Sequence, residues 1–167
     1  MSRAFVKEDD QEEIPKISPR AHLPIGETNY VTPMGLQILL DEKEMLLEER
    51  GKLDIEDANE RRIALLVLNG KLHLLNDRIH SARPIDLESQ KKESVRFGAK
   101  LQLKINGTGK LQTLQIVGVD EADISKGKIA FTAPLAKILN HKTVGEKATL
   151  ILKNGNRVFE ILKIEYP

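Results

Sequence analysis

The sequence predicts an α+β protein: an antiparallel helical hairpin followed by an antiparallel sheet with one helix packed on it. Three observations carry this. Apolar residues between positions 36 and 79, mostly leucine, recur at helical spacing in two runs split by a polar stretch. From Glu93 onward the apolar period changes to two. The dipeptides Asn106-Gly107 and Asn154-Gly155 then punctuate the second half as hairpin turns do. The chain divides accordingly into an arm (1–30), a helical hairpin (31–83) and a globular domain (84–167).

The arm carries a cluster of acids, Glu8, Asp9, Asp10, Glu12 and Glu13, and then Pro15, Pro19 and Pro24. Its apolar residues have no period, so it buries too little to offset its ordering entropy and is expected to be flexible. A helix begins at Thr32, which is an N-cap type, with Pro33 at the first helical position, where a missing N–H is harmless. Leu39, Leu46 and Leu53 lie seven apart, as in a coiled-coil seam. The second helix shows Leu65, Leu68, Leu72, Leu75, Ile79 and Ala82 at alternating steps of three and four. Gly70 lies inside it at a cost of about 1 kcal/mol against Ala, and Pro84 ends it. The short polar link makes the two helices antiparallel, with a tip near residues 51–58.

In the second half, Val95 to Ile105 alternates as a half-buried strand, and Leu111 to Val119 returns alongside it. Lys128 to Thr132 reads as a third strand, and Pro134 opens a short helix. Ala148 to Leu152 and Val158 to Ile164 form the last hairpin.

Composition excludes several classes. There is no Cys, hence no thiolate metal site, disulfide or cysteine nucleophile. The 26 basic and 25 acidic residues give a net charge of +1, without the overall basic excess that sequence-independent nucleic-acid binding needs. Aromatics are only 4%, too few for a base-stacking platform. The opening MSRAFVKEDD has no apolar core of a signal peptide, and no apolar run approaches a membrane span, so a cytoplasmic protein without a membrane partner is expected. His73 and His80 stand seven apart rather than the four of a helical zinc pair, which favours a solvated or partner-facing role.

Four stretches carry a family resemblance: VRFGAKL (95–101), IVGVDEAD (116–123), APLAKILNHKTVGE (133–146) and KIEY (163–166). Together they resemble the FKBP-like domain of the GreA/GreB transcription elongation factors. In the hairpin, YVTPMGLQIL (30–39) and GKLHLLNDRIHSARPID (70–86) resemble the ends of that family's coiled coil. The N-terminal arm and a shortened hairpin resemble a Gre-like subgroup. The resemblance implies an accessory factor rather than an enzyme. Such a factor docks on RNA polymerase at the secondary channel and meets nascent RNA or DNA only within that complex. Its acidic tip helps to hold Mg²⁺ and water in the polymerase active site, so that backtracked RNA is cleaved.

On that reading the metal-assisting candidates are Asp54, Glu56 and Asp57, from the tip LDIEDANERR. A hard octahedral cation takes one or two carboxylates and keeps its waters, and the second ion of a two-metal site clamps the attacking and leaving oxygens. Two registers align the tip. In one, Asp54, Asp57 and Glu60 match the family's acids, with Ala58-Asn59 reversing its dipeptide. In the other, the family's second acid falls on Asp54. Asp57 and Glu60 also have capping-box spacing, a purely structural role. Arg61 and Arg62 are candidates for RNA contact, or else a solvated helix face. Asp120, Glu121, Asp123, Thr132 and Pro134 are the polymerase-binding candidates. The first helix is shorter than the family's by roughly two heptads, about 20 Å of reach. The alternative is therefore a channel binder that modulates transcription without cleavage. A prolyl isomerase would need an aromatic-lined pocket, and Phe97, Phe131, Phe159 and Tyr166 are the only aromatics after residue 84.

Overall fold

The computed structural model describes residues 14–167. The acidic cluster at 8–13 lies outside them. Strand β1 (Tyr30–Val31) leads into helix α1 (Pro33–Gly51), and α2 (Ala58–Ser81) returns to strand β2 (Arg83–Pro84). Thr32 caps α1: its Oγ1 accepts from the N–H of Gly35 at 2.8 Å. The seam forms as the spacing predicts, with Leu39, Leu46, Leu68, Leu72 and Leu75 buried in one cluster that Leu36, Leu53 and Ile79 flank. At the base of the hairpin β1 and β2 pair in parallel, Tyr30 opposite Arg83. They are two residues each, too short for periodicity to reveal.

The C-terminal half is a five-stranded sheet in the order β5-β4-β3-β7-β6, with β3 Lys100–Ile105, β4 Leu111–Val117, β5 Lys128–Ala130, β6 Lys147–Leu150 and β7 Arg157–Glu165. Helix α3 (Pro134–Leu139) inserts Ala136 and Leu139 into a core with Leu101, Leu103, Leu114, Phe159 and Ile161. The sheet is mixed, which corrects the expected antiparallel one: β5 runs parallel to β4. The connection 118–127 winds through a 3-10 turn (Ile124–Lys126) and returns the chain to the same edge in the same direction. Gly127 closes this turn at φ 69°, 2.9 Å from Thr113 O at its missing Cβ. The first strand also begins later than its alternation suggests, at Lys100 instead of Val95. Gly98, at φ 87°, turns the chain there, and a Cβ on it would strike Leu87. A bulge in β7 leaves Leu162 without an opposite residue on β3, so Ile161 and Ile164 both face the core.

Candidate functional site

The tip is an extended link, 52–57, between two capped helix ends. Leu53 and Ile55 turn partly inward, and Leu53 packs on the hairpin core. The alternation of LDIE therefore turns Asp54 and Glu56 outward, where both are exposed. Among the described residues neither carboxylate has an ion pair. Asp57 is the N-cap of α2, its Oδ1 accepting from the N–H groups of Asn59 at 2.9 Å and Glu60 at 2.8 Å. No hydrogen bond from the Glu60 side chain back to the Asp57 N–H is formed among the described residues, so the capping box is half made. Arg61 donates to the carbonyl of Glu56 at 3.2 Å and Arg62 to Asn59 Oδ1 at 3.1 Å. Arg61 thus braces the loop and Arg62 the first turn of α2, and both are exposed. Among the described residues no three His, Asp or Glu side chains are grouped to hold a metal ion. What the tip presents to solvent is the two carboxylates of Asp54 and Glu56.

At the other end the hairpin is joined to the sheet domain by polar contacts. The Glu121 side chain is only 2% exposed. It accepts from Thr32 Oγ1 at 2.5 Å and from Lys128 Nζ at 3.0 Å, so the cap of α1 is tied to β5. Gly35 makes this approach possible: a Cβ there would lie 2.7 Å from Glu121 Oε2. Gly118 does the same for β1, since its Cβ would lie 2.6 Å from Tyr30 O. Tyr30, Phe97 and Phe131 pack in a triangle with ring centroids 5.6–5.8 Å apart. Two of the aromatics available for an isomerase pocket are thus committed to the junction.

Asp120, 6% exposed at its side chain, lies between two arginines. Arg20 donates from Nε to its Oδ1 at 3.0 Å, and Arg78 Nε lies 3.1 Å from Oδ2 as an ion pair without hydrogen-bond alignment. Arg20 also grips Glu42 of α1 with both terminal nitrogens, at 2.8 and 2.9 Å. The Glu42 hydrogen bonds, more than burial, which opposes them, set the net effect: the Arg20 guanidinium is held above its ordinary pKa.

The five polymerase-binding candidates thus separate. Asp120 and Glu121 are turned into the junction. Asp123 caps the 3-10 turn, accepting from Ser125 N at 3.0 Å and Ser125 Oγ at 2.6 Å, and those bonds, the hydroxyl's first, lower its pKa. Thr132 is half-buried and Pro134 exposed. Arg20, Glu42, Thr32, Arg78 and Lys128 were not foreseen as site residues. The one local signal was glycine within or beside a helix, at Gly35 and Gly70.

Residues 90–166 match the family described as Transcription elongation factor, GreA/GreB, C-term. The C-terminal domain is therefore similar to the C-terminal domain of the GreA/GreB transcription elongation factors. The chain is similar to transcription elongation factor GreA of Hyphomonas neptunium, 36% identical over 99 residues, 59% of this chain and 63% of that protein. It is also similar to GreA of Rhodopseudomonas palustris, 37% identical over 97 residues, 58% and 61% of the two chains. The match thus spans less than two thirds of either relative. Among solved structures, the GreA/GreB factor of Nitrosomonas europaea has 15% identity and a TM-score of 0.42 over 82% of this chain and 98% of that one. Thermus aquaticus Gfh1 has 21% identity and a TM-score of 0.41 over 81% and 97%. No described helix is long and apolar enough to cross a membrane.

Proposed function

We propose that this protein is a cytoplasmic accessory factor, not an enzyme, that binds RNA polymerase through its sheet domain and regulates elongation by placing the hairpin in the secondary channel. The observation that carries this is a GreA/GreB-like C-terminal domain bearing a capped two-helix arm whose far end presents Asp54 and Glu56 unpaired. On this reading Asp123, Thr132 and Pro134 supply the docking surface, because the Asp120 and Glu121 carboxylates are engaged within the molecule. Asp54 or Glu56 would complete the oxygen shell of a polymerase-held Mg²⁺ that activates water against backtracked RNA. Asp57 would serve the loop, and Arg61 and Arg62 would lie near RNA phosphate. One observation favours a second reading, in which the factor occupies the channel without stimulating cleavage. Helix α1 has 19 residues, about 28 Å of rise, so the tip stands on a short lever.

The test is RNA cleavage in a backtracked polymerase complex over a range of Mg²⁺, with wild type and Asp54→Asn. Stimulation by wild type that Asp54→Asn loses, with polymerase affinity kept, supports ligand delivery by Asp54. Stimulation unchanged in Asp54→Asn refutes that role. Tight binding with no wild-type stimulation establishes the non-cleaving reading, and no binding overturns the proposal.

A further inference from the structure

The contacts that join hairpin to sheet domain cluster at one place. Thr32 with Glu121, Tyr30 with Phe97 and Phe131, and Tyr30 O against Gly118 all lie at the hairpin base. Alone they form a pivot. A lever of about 28 Å converts each ~10° of swing at such a pivot into about 5 Å at the tip.

The segment before β1 reaches beyond that pivot. Its Arg20 joins Asp120 of the sheet domain to Glu42, which lies seven residues along α1 from Gly35, about 10 Å of rise. Arg78 of α2 donates to the carbonyl of Ala21 at 2.5 Å and faces Asp120. Further out, Ile17 sits against Gly70, eight residues or about 12 Å along α2 from Arg78. A Cβ at Gly70 would lie 1.9 Å from Ile17 Cδ1 and 3.1 Å from Cγ1. This gives the mid-helix glycine a physical reason: it is a notch for the arm. A segment seated on α2 at Ile17 and Ala21, with the Arg20 side chain reaching from it to Glu42 of α1 and Asp120 of the sheet domain, ties hairpin to sheet beyond the base and so resists bending about it. The side chains of Arg20 and Arg78 are 18% and 13% exposed, so solvent weakens their ion pairs less than it would on an open surface.

We infer that residues 15–23 are a strap that sets the angle between hairpin and sheet domain, with Arg20 as the positioning residue and Gly70 as the notch that seats Ile17. Seated, the strap aims the tip in one direction. Released, it leaves the tip to swing about the base.

The inference concerns the free protein and is tested without polymerase, so its outcome is separate from that of the proposed function. The chain has no Cys, so spin labels can be placed at Glu49→Cys on α1 and Thr113→Cys on β4, both exposed. Distances between them are read by double electron–electron resonance. Wild type should give one narrow distribution. Arg20→Ala should at least double its width, and Arg20→Lys, which keeps charge but not the forked geometry, should fall between. Gly70→Leu should broaden it as well, while raising the melting temperature of the helices, because leucine is a better helix former yet fills the notch. A purely structural role for Gly70 would show the higher melting temperature without the broadening. Wild-type distributions in both Arg20→Ala and Gly70→Leu, or a broad distribution already in the wild type, would overturn the inference.

Discussion

Replacing Gly35 by alanine should destabilise this protein, against the usual sign for glycine in a helix. Gly35 lies in the first turn of α1, and alanine in a helix is favoured over glycine by up to about 1 kcal/mol. Here the new Cβ would stand 2.7 Å from Glu121 Oε2 and 3.3 Å from Thr32 Oγ1. The Glu121 carboxylate must move, and its bond from Thr32 is lost. A hydrogen bond to a charged group is worth about 1.5–3 kcal/mol. Lys128, the other partner, is 26% exposed at its side chain and can turn to water, which favours the lower part of that range. The net expectation is a loss of about 1 kcal/mol, or roughly 2–4 °C in Tm for a chain of this size. In a Glu121→Ala background the obstacle is gone, and the same change should stabilise by up to about 1 kcal/mol. The pair should therefore couple by about 2 kcal/mol, as residues in contact do. The assay is a double-mutant cycle by urea unfolding, followed by circular dichroism at 222 nm. A stabilising Gly35→Ala in the wild-type background, or an equal effect in both backgrounds, would refute the reasoning.

Other outcomes follow from the same geometry. Leu75→Ala, at a fully buried seam position, should cost about 2–5 kcal/mol, whereas Leu66→Ala, 44% exposed, should cost well under half as much; equal losses in urea melts would reject the seam. Asp57→Ala should cost about 1 kcal/mol by removing the cap of α2 and Asp57→Asn only a few tenths, checked by thermal melts. The Glu146 carboxyl is held below the ordinary glutamate range, first by the backbone N–H of Thr143 and then by its hydroxyl. Because the folded value is the lower one, its contribution to stability is present above the unfolded value and fades as pH falls through the folded one. NMR titration of its side-chain carboxyl carbon should show that low midpoint, and Thr143→Ala should raise it part of the way.

The start of α1, the leucine seam and the turn at Asn154-Gly155 were legible because each rests on residues within a few positions of one another. Capping needs Thr32 and Gly35 three apart, and a seam needs only its own period. The acidity of the tip was also local, since Asp54, Glu56 and Asp57 stand within four positions, whereas the outward turn of Asp54 and Glu56 came from the structure. Strand direction was less so. Alternation marked β5 as a strand, but its parallel pairing with β4 depended on the path of 118–127. The arm misled most. A segment rich in Pro, with no apolar period, gives no sign that one arginine in it meets a carboxylate a hundred positions away.

By itself, then, the sequence determined the two capped helices, their seam, the sheet's strands apart from β5's direction and the start of β3, and the acidity of the tip, because local backbone preference and period decide these. Only the tertiary structure decided that Asp120 and Glu121 face inward, that Gly35 and Gly70 are points of close approach, and that the arm spans hairpin and sheet. Those facts depend on which charges meet out of water, and Arg20 with Asp120 or Thr32 with Glu121 meet only once the sheet and hairpin have docked.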